Sequence, residues 1–417
     1  MSRRQKRRQT PYDPALLVSA TRLPRLINIA LAVALLAMGA GHAVAQKADK
    51  PPPGGIDTKA PRAVIMDSGE NMVLFEKDAD TLMVPASMSK MMTLAVVFRE
   101  LKAGRLKLDD TFMVSEHAWR TGGAPSGTSA MFAPLNTAVT VEDLIRGVTV
   151  QSANDGAIIL AEGISGSEEE FAREMTKYAR EIGLQKSTFA NATGLPAEGH
   201  LMTARELAQL ARFLIAEHPD YYQYFGLQEF RYRDKFTFRN RNPLVFDPEL
   251  PADGLKTGFV KESGYGLTAS AKKGDQRLIV VTAGLSSPKE REAEAKRLLQ
   301  WGFKNFKQFR LFDAGQKVSD ALVWGGSQHY VPLVGEGDIN ILLPTASTGA
   351  VTATIHYEGP IKAPIKKGAQ IATLRVSSPE SQATNEIPLY AGMDIEPSNF
   401  LWRGLDSLGC LAICWIL

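Results

Sequence analysis

The feature that most constrains the fold is a helical stretch between two strand-like regions. Two apolar runs, Ala63–Ser68 and Met72–Phe75, flank a short polar turn and predict a hairpin. Residues 85–225 then repeat apolar side chains at helical spacing. The predicted helices are Met88–Leu101, Val141–Arg146, Asn154–Ile164, Glu168–Ile182 and Ala204–Glu217.

Strand patterns return after this helical block. Tyr265–Ala271 and Arg277–Leu285 flank residues 272–276, which suit a hairpin connection, and Ala293–Phe306 reads as a closing helix. A sheet built from both ends of a domain, with helices between them, predicts an α/β sandwich. We therefore expect an antiparallel sheet with a helical block over residues 60–308.

The chain changes character beyond Leu311. The β-branched runs Ile339–Leu343, Val351–Tyr357 and Gln370–Ser377 are separated by Gly and Pro turns. Such short strands predict a small all-β sandwich domain, which we place at residues 309–396.

The N-terminus has the pattern of an export signal. Basic residues precede the apolar run Leu26–Ala40, and Ala43-Val44-Ala45 resembles a cleavage site. The run is short for a membrane-spanning helix, although an uncleaved anchor is the alternative. We predict a signal peptide at residues 1–45 and, from Pro51-Pro52-Pro53-Gly54-Gly55, a linker at residues 46–59.

Residues 397–417 have an amphipathic pattern. Apolar and polar side chains segregate on a helical wheel. The apolar side holds Leu401, Leu405, Leu408, Ala412 and Trp415, and the polar side holds Arg403, Asp406, Ser407 and Cys410. This pattern predicts a helix lying in a membrane interface, and a helix packed on the body of the protein is the alternative. The two cysteines, Cys410 and Cys414, both lie in this tail, so a disulfide framework is excluded.

Composition excludes several function classes. A net charge of +3 over 417 residues does not suit a dedicated nucleic-acid binder. The six histidines lack metal-ligand spacing, and neither a Gly-x-Ser-x-Gly elbow nor a His-Glu-x-x-His motif is present. We expect no metal and no cofactor.

Three short motifs occur in order and suit nucleophilic catalysis. In the first, Ser87 and Lys90 are three residues apart at the start of a predicted helix, so their side chains share one face. A serine hydroxyl needs an adjacent base, and a lysine can act as that base when burial and a nearby cation lower its pKa. We expect Lys256 to be that cation, and the N–H groups at the helix start suit an oxyanion hole.

The other two motifs suit substrate binding and proton transfer. Ser152 and Asn154, predicted in a loop before a helix, can pass a proton and hold an amide. Lys256-Thr257-Gly258 is predicted to begin a strand whose edge pairs with a peptide. There Lys256 and Thr257 would contact a substrate carboxylate, and Gly258 would leave room for the peptide backbone to come close.

Each motif alone is weak evidence. The Ser-x-x-Lys pattern also occurs at Ser270–Lys273 and Ser286–Lys289. A helix cap, a surface lysine or a turn residue would explain any single motif. These explanations do not account for three motifs in this order.

The motifs and their surroundings resemble the low-molecular-mass D-alanyl-D-alanine carboxypeptidases, the penicillin-binding protein 5 type, over about residues 60–400. The resemblance is carried by the segments Pro85–Thr93, Leu144–Gly147, Gln151–Asp155, Asp253–Gly258, Ser263–Tyr265, Ser270–Ala271 and Arg291–Glu294.

The resemblance implies a reaction and a role for each site residue. Ser87 would form an acyl-enzyme with the penultimate D-alanine of a peptidoglycan stem peptide, with Lys90 as general base. Ser152, Asn154 and Lys256 would support proton transfer and charge. The list of expected substrate-binding residues is Thr257, Gly258, Phe259 and Arg291. The oxyanion hole would use the backbone N–H of Ser87 and Phe259, and Arg291 would lie near the substrate carboxylate.

The resemblance also implies inhibition by β-lactams and a periplasmic location, with the tail attached to the outer face of the cytoplasmic membrane. One departure stands out. Relatives often carry His-Thr after Lys-Thr-Gly, whereas this chain has Phe259-Val260. This difference leaves the deacylation rate and the substrate preference open.

Other functions would require different sequence features. A class A β-lactamase would need a Glu-x-x-Leu-Asn loop between Asn154 and Lys256, and that segment has none. A D,D-endopeptidase remains an alternative, although such enzymes often lack the added β domain. A catalytically weak penicillin-binding scaffold in cell-wall morphology is the non-enzymatic alternative, which the intact motifs disfavour.

Overall fold

The computed structural model describes residues 55–69, 72–345, 352–377 and 384–398. The predicted signal peptide, most of the predicted linker and the predicted amphipathic tail from residue 399 onward, with Cys410 and Cys414, lie outside these ranges. The described chain divides into two compact units, one over residues 55–307 and one that starts at residue 308.

The first unit is built on a five-stranded antiparallel sheet. The strands of the unit are β1 (Arg62–Asp67), β2 (Val73–Lys77), β3 (Thr111–Met113), β4 (Ala138–Thr140), β5 (Glu229–Tyr232), β6 (Phe236–Arg239), β7 (Ala252–Val260), β8 (Gly264–Lys273) and β9 (Gln276–Leu285). Besides the main sheet, the unit holds two small two-stranded sheets, β3-β4 and β5-β6. The order in the main sheet is β2-β1-β9-β8-β7. Both ends of the unit therefore contribute strands, as predicted, and β7 lies at an edge of the sheet.

Helices fill the sequence between the two groups of strands. They are α1 (Lys90–Lys102), α2 (Val141–Arg146), α3 (Asn154–Ser165), α4 (Glu168–Glu181), α5 (Ala204–Glu217), α6 (Pro219–Tyr222) and α7 (Pro288–Asn305). Four of them begin at a side-chain cap, in which a hydroxyl accepts a backbone N–H of the first turn. These caps are Thr140, Ser167, Thr203 and Ser287.

Helix α1 forms the centre of the core. Every residue from Lys90 to Phe98 is buried, so this helix is enclosed on all sides. Helix α7 packs closely against the sheet at Gly302. A Cβ on Gly302 would lie only 2.6 Å from the side chain of Leu278 in β9. Lys90, the first residue of α1, thus lies on a buried element of the core.

Three predicted element starts were wrong. Helix α7 begins at Pro288 rather than Ala293, because Ser287 caps the helix and proline suits its first turn. Strand β7 begins at Ala252, so Lys256 lies in its middle. Ser87 lies in a 3-10 turn, Ala86–Ser89, that precedes α1.

The second unit is all-β in its described residues. Its strands are β10 (Phe306–Phe312), β11 (Lys317–Trp324), β12 (Tyr330–Val334), β13 (Ile339–Pro344), β14 (Thr352–His356), β15 (Ile361–Lys362), β16 (Gln370–Ser377) and β17 (Thr384–Ala391). Six of them form a sheet in the order β14-β16-β17-β12-β11-β15, and β10 pairs with β13. The predicted succession of an α/β domain and a β-rich domain is confirmed.

The described ranges also bear on membrane spans. No helix in these parts of the chain has both the length and the apolar character needed to cross a bilayer.

Candidate active site

Ser87 is presented by a strained turn between buried elements. The preceding residue, Ala86, has a φ of 50°, which is unusual for a residue with a side chain. The Ser89 hydroxyl donates to the Ala86 carbonyl at 3.1 Å and closes the turn. Ser87 itself is half-buried, whereas Met88 and Ser89 are buried. Strain of this kind is typical of functional sites, and it leaves the Ser87 hydroxyl within reach of a ligand.

Lys90 connects Ser87 to two other segments. Its side chain is 0% exposed, and Nζ lies 3.0 Å from Ser87 Oγ. Nζ also donates to Asn154 Oδ1 at 2.6 Å and to the backbone oxygen of Thr193. The predicted pairing of Ser87 with Lys90 is therefore present, although a 3-10 turn rather than an α-helix brings the two side chains together.

The surroundings of Lys90 favour its neutral form. Burial, followed by the positive charge of Arg241, lowers the pKa of Lys90 to about 7, against smaller opposing effects of Glu168 and Asp155. A neutral amine at physiological pH can accept a proton from a hydroxyl. We expected Lys256 to be the nearby cation; the structure adds the charge of Arg241, and the charges of Lys90 and Lys256 also act on each other.

Asn154 is held by the loop that precedes β4. It begins α3 rather than preceding it, and its Nδ2 donates to Thr128 Oγ1 at 2.9 Å. Its backbone N–H donates to the Ser129 carbonyl at 2.7 Å. The neighbouring Asp155 accepts the N–H groups of Met131 and Ala133 at 2.9 and 3.1 Å. These bonds fix the Asn154 amide so that its oxygen faces Lys90.

Ser152 occupies a second strained position. Its φ is 63°, at the end of the π-helical turn Gly147–Gln151, and its side chain is 2% exposed. The left-handed conformation reverses the chain between that turn and α3. Ser152 thereby lies on the short connection into α3, two residues before Asn154.

The loop over residues 191–194 forms the far side of the Lys90 pocket. Asn191 Oδ1 accepts the backbone N–H of Thr193 at 3.1 Å and that of Gly194 at 2.8 Å. Thr93, one turn after Lys90 on α1, donates its hydroxyl to the Ala192 carbonyl at 2.7 Å. The Thr193 carbonyl is thus aimed at Lys90 by a folded loop.

Strand β7 passes close to the Ser87 turn. A Cβ on Gly258 would lie 3.1 Å from both Ala86 Cβ and the Pro85 oxygen. Lys256 is 1% exposed and Thr257 is 6% exposed, and Lys256 Nζ donates to the Thr257 carbonyl at 3.2 Å. Gly258 therefore allows β7 to pack against the nucleophile turn, whereas the close approach of a peptide backbone stays a prediction.

Positive charge accumulates around Lys256. Burial, followed by the charges of Lys90, Arg241 and Arg291, lowers the pKa of Lys256 well below its usual value. Arg241 Nε contacts the neutral Gln151 Oε1 at 3.4 Å, and Arg291 Nε is buried without a hydrogen-bond partner among the described residues. The hydrogen bonds described for Lys256 and Arg241 thus go to neutral oxygens, which leaves positive potential for an anionic ligand.

Phe259 marks the end of this site. Its ring is 50% exposed and stacks on Tyr265, with centroids 4.2 Å apart and an interplanar angle of 26°. Arg291 lies near Tyr265, the other ring of this stack. Its guanidinium carbon is 5.9 Å from the Tyr265 ring centroid. Arg291 is therefore close to β7 and β8 rather than on an isolated surface.

Three further site residues lie outside the motifs. Arg241, Thr128 and Thr193 lie in irregular segments, where hydrophobic periodicity carries no signal. Arg241 has one local clue, because it lies between Asn240 and Asn242 just before Pro243. Polar residues clustered beside a proline predict a turn but not its partners.

In the two other Ser-x-x-Lys pairs, the serine makes a structural hydrogen bond. Ser270 Oγ accepts from Arg277 Nη1 at 2.8 Å within β8 and β9. Ser286 Oγ donates to Glu290 Oε2 at 2.5 Å at the start of α7. Neither serine lies beside its lysine in the way that Ser87 lies beside Lys90.

Comparison with known proteins places the chain among relatives with the same two-part organisation. A family profile described as D-alanyl-D-alanine carboxypeptidase matches residues 45–287, and one described as penicillin-binding protein 5, C-terminal domain, matches residues 306–397. D-alanyl-D-alanine carboxypeptidase DacF of Bacillus subtilis is 35% identical, covering 82% of this chain and 87% of that protein. DacA of Escherichia coli is 30% identical, covering 95% of this chain and 99% of that protein.

A solved structure is similar to this chain over both of its parts. The crystal structure of penicillin-binding protein 5 from Haemophilus influenzae matches with a TM-score of 0.74 and 34% identity, covering 82% of this chain and 98% of that one. The profile match extends over more than half of the chain, and the sequence relatives cover most of it. The chain belongs to the D-alanyl-D-alanine carboxypeptidase family, a family of hydrolases.

Proposed function

We propose that this protein removes the terminal D-alanine from peptidoglycan stem peptides through an acyl-enzyme on Ser87. The observation that carries the proposal is the contact between Ser87 Oγ and Lys90 Nζ, beside the basic side chains of Lys256, Arg241 and Arg291. The first feature supplies a nucleophile with its base, and the second supplies a site for a C-terminal carboxylate. Family membership supports the same reaction.

In the first step, the neutral amine of Lys90 accepts the Ser87 proton as Oγ attacks the carbonyl carbon of the penultimate residue. The backbone N–H groups of Ser87 and Phe259 stabilise the negative oxygen that develops. Asn154 holds the Lys90 amine through its oxygen at 2.6 Å. Ser152 and Lys256 assist the return of the proton to the leaving amine, so that D-alanine departs neutral at its new amino group.

In the second step, water attacks the acyl-enzyme ester and restores Ser87. Lys90 accepts a proton from this water and returns it to Ser87 Oγ. The carboxylate of the terminal residue is bound beforehand by Thr257, Lys256 and the neighbouring cations Arg241 and Arg291. These contacts would hold the terminal residue in place, so the carboxylate contributes to both affinity and orientation.

The same chemistry predicts inhibition by β-lactams. A strained lactam carbonyl would acylate Ser87 and leave an ester whose leaving group stays attached, so it blocks the approach of water. The name of the Haemophilus influenzae structure, a penicillin-binding protein, supports this part of the proposal.

We also propose that the protein acts outside the cytoplasm, on the periplasmic face of the cytoplasmic membrane. The basic N-terminus with its apolar run supports export, and the amphipathic pattern of residues 397–417 supports attachment to the membrane surface. Fractionation of cells producing the full-length chain, with and without residues 399–417, tests this location.

The experiment for the proposed activity is D-alanine release from an acyl-Lys-D-Ala-D-Ala peptide. The full-length protein should release D-alanine and leave the penultimate residue on the peptide. The Ser87→Ala variant should release none, whereas Ser286→Ala should retain full activity because Ser286 contacts Glu290 instead. Absence of release by the wild-type protein would overturn the proposal.

A further inference from the structure

The carboxylate of Glu168, the first residue of α4, bonds two separate segments of the chain. Its Oε1 accepts the backbone N–H of Ala192 at 3.0 Å, and its Oε2 lies 3.1 Å from His117 Nε2. The side chain of Glu168 is 16% exposed, whereas that of His117 is 51% exposed. The cap of α4 is Ser167, so helix capping does not account for these two contacts.

Ala192 is bonded from two helices. Its carbonyl accepts the Thr93 hydroxyl of α1 at 2.7 Å, and its N–H donates to Glu168 of α4. The next residue, Thr193, has the carbonyl that accepts from Lys90 Nζ. Both polar groups of Ala192 are thus fixed, and planar peptide units carry that restraint to the adjoining Thr193 carbonyl.

Few hydrogen bonds attach the loop over residues 191–194 to other elements. Asn191 Oδ1 accepts the N–H groups of Thr193 and Gly194, which shapes the loop from within. Among the described hydrogen bonds of these four residues, those that reach a helix come from Thr93 and Lys90 of α1 and from Glu168 of α4. Without Glu168, the hydrogen bonds to helices would come from α1 alone.

Glu168 also acts on Lys90 through its charge. Burial, followed by the charge of Arg241, lowers the pKa of Lys90, and the Glu168 carboxylate opposes this effect by favouring the protonated amine. Burial lowers the pKa of His200 to about 4, so His200 stays neutral while Lys90 titrates. The other titratable groups with which Lys90 interacts are Asp155, Arg241 and Lys256.

We propose that Glu168 is a positioning residue for the acylation step, which holds the Thr193 carbonyl against Lys90 through its hydrogen bond to Ala192. This inference rests on the proposed function. None of the contacts described for Glu168 is with Ser87, so Glu168 acts through the loop and through its charge. His117 bonds the second carboxylate oxygen from a more exposed position and thereby restrains the direction in which the first oxygen points.

The first test separates the charge of Glu168 from its hydrogen bonds. Glu168→Gln keeps an oxygen for the Ala192 N–H and removes the negative charge. The pKa of Lys90 should therefore fall, and the acid limb of kcat/KM should move to lower pH. With an acyl-Lys-D-Ala-D-Ala peptide and full-length protein, kcat/KM at pH 6 relative to its plateau should exceed the wild-type value about twofold. An acid limb identical to that of the wild-type protein would overturn the inference.

The second test removes the hydrogen bonds. Glu168→Ala leaves the Ala192 N–H without this acceptor, so the plateau value of kcat/KM should fall about tenfold, mainly through kcat, because Lys90 is no longer held beside Ser87. Thermal unfolding shows whether the variant is folded at the assay temperature. A wild-type plateau in folded Glu168→Ala would overturn the inference, and Glu168→Gln tests it if Glu168→Ala does not fold.

Glu169→Gln is the matched control. It removes the same charge from the next residue of α4, which is exposed, and it should keep the wild-type plateau and acid limb. Equal shifts of the acid limb in Glu168→Gln and Glu169→Gln would indicate a general effect of net charge and would contradict the role of Glu168.

Failure of this inference differs from failure of the proposed function. If the wild-type protein releases D-alanine and the Glu168 variants have the wild-type profile, the role of Glu168 is wrong while the activity stands. If the wild-type protein releases no D-alanine, both the proposed function and this inference fail.

Discussion

Gly194 packs so closely against Ala86 that a Cβ on Gly194 would collide with the Ala86 carbonyl oxygen. Gly194 also has a φ of 79°, in the left-handed region. The loop over residues 191–194, whose Thr193 carbonyl contacts Lys90, therefore holds the residue that precedes Ser87. A glycine far from the motifs in sequence thus helps to fix the nucleophile turn.

Substitution of Gly194 should affect both folding and activity. In Gly194→Ala, the strained φ and the collision should lower the free energy of unfolding by on the order of 3 kcal/mol, and the displaced turn should slow acylation by benzylpenicillin. Thermal unfolding and the acylation rate measure the two effects.

Gly199 provides the matched control for this prediction. Its φ of 76° is nearly the same, but nothing lies within 4 Å of the position of its Cβ. Gly199→Ala should therefore cost only about 1 kcal/mol, from backbone strain, and leave acylation unchanged. Equal effects of the two substitutions would contradict the role assigned to the Gly194–Ala86 contact.

Replacement of Lys90 should abolish rapid acylation. Lys90→Ala removes the base, and Lys90→Arg retains a cation that stays protonated, so both should reduce the acylation rate on the order of 100-fold or more. The acylation rate with a fluorescent penicillin provides the measurement. Lys273→Ala, which alters the lysine of the Ser270–Lys273 pair, should behave as the wild-type protein does; a near-normal rate in Lys90→Ala would rule out Lys90 as the base.

The acid side of the pH profile should report the protonation of Lys90. Because only the neutral amine accepts a proton, kcat/KM should fall as the pH drops through the Lys90 pKa of about 7. Arg241→Gln removes a positive charge that disfavours protonated Lys90, so the pKa should rise and the acid limb should move to higher pH.

Arg241→Lys keeps the positive charge and is the control for the pH experiment. Its acid limb should stay close to that of the wild-type protein, even if KM increases through changed contact with the ligand carboxylate. An acid limb that is the same in Arg241→Gln and wild-type protein would show that Arg241 does not set the Lys90 pKa.

Asp155 should be essential to the loop that holds Asn154. The carboxylate is 0% exposed and accepts the N–H groups of Met131 and Ala133. Asp155→Ala would leave buried donors without partners, so the free energy of unfolding should fall by roughly 3 kcal/mol. Denaturant unfolding measures this loss, and Asp155→Asn, which keeps one acceptor oxygen, should lose less. A stability of Asp155→Ala equal to that of wild-type protein would be incompatible with this role.

The sequence predicted the regular elements well, because strong periodicity reflects burial on one face. Predicted and observed helices agree closely for α3, α4 and α5, and the strands β8 and β9 extend the predicted runs by a few residues at most. Helix α7 starts five residues before the predicted Ala293, because the Ser287 cap and Pro288 in the first turn begin the helix ahead of the apolar periodicity.

The three motif segments could be predicted to lie together only through their combined pattern and the family resemblance. Their geometry could not, because it depends on long-range contacts. The pKa of Lys90 depends on Arg241, and the fixed orientation of Asn154 depends on Thr128, and neither partner belongs to a motif. Side chains in irregular loops are placed by tertiary contacts, which a single sequence does not reveal.

Under the proposed function, Ser87 is the acylated nucleophile. The most direct measurement is mass spectrometry of the full-length protein after reaction with benzylpenicillin, followed by mapping of the modified peptide. We predict one penicilloyl group per chain, on the peptide that contains Ser87, and no modification in Ser87→Ala. Modification of Ser152 or of another residue in the wild-type protein, or its persistence in Ser87→Ala, would contradict the account.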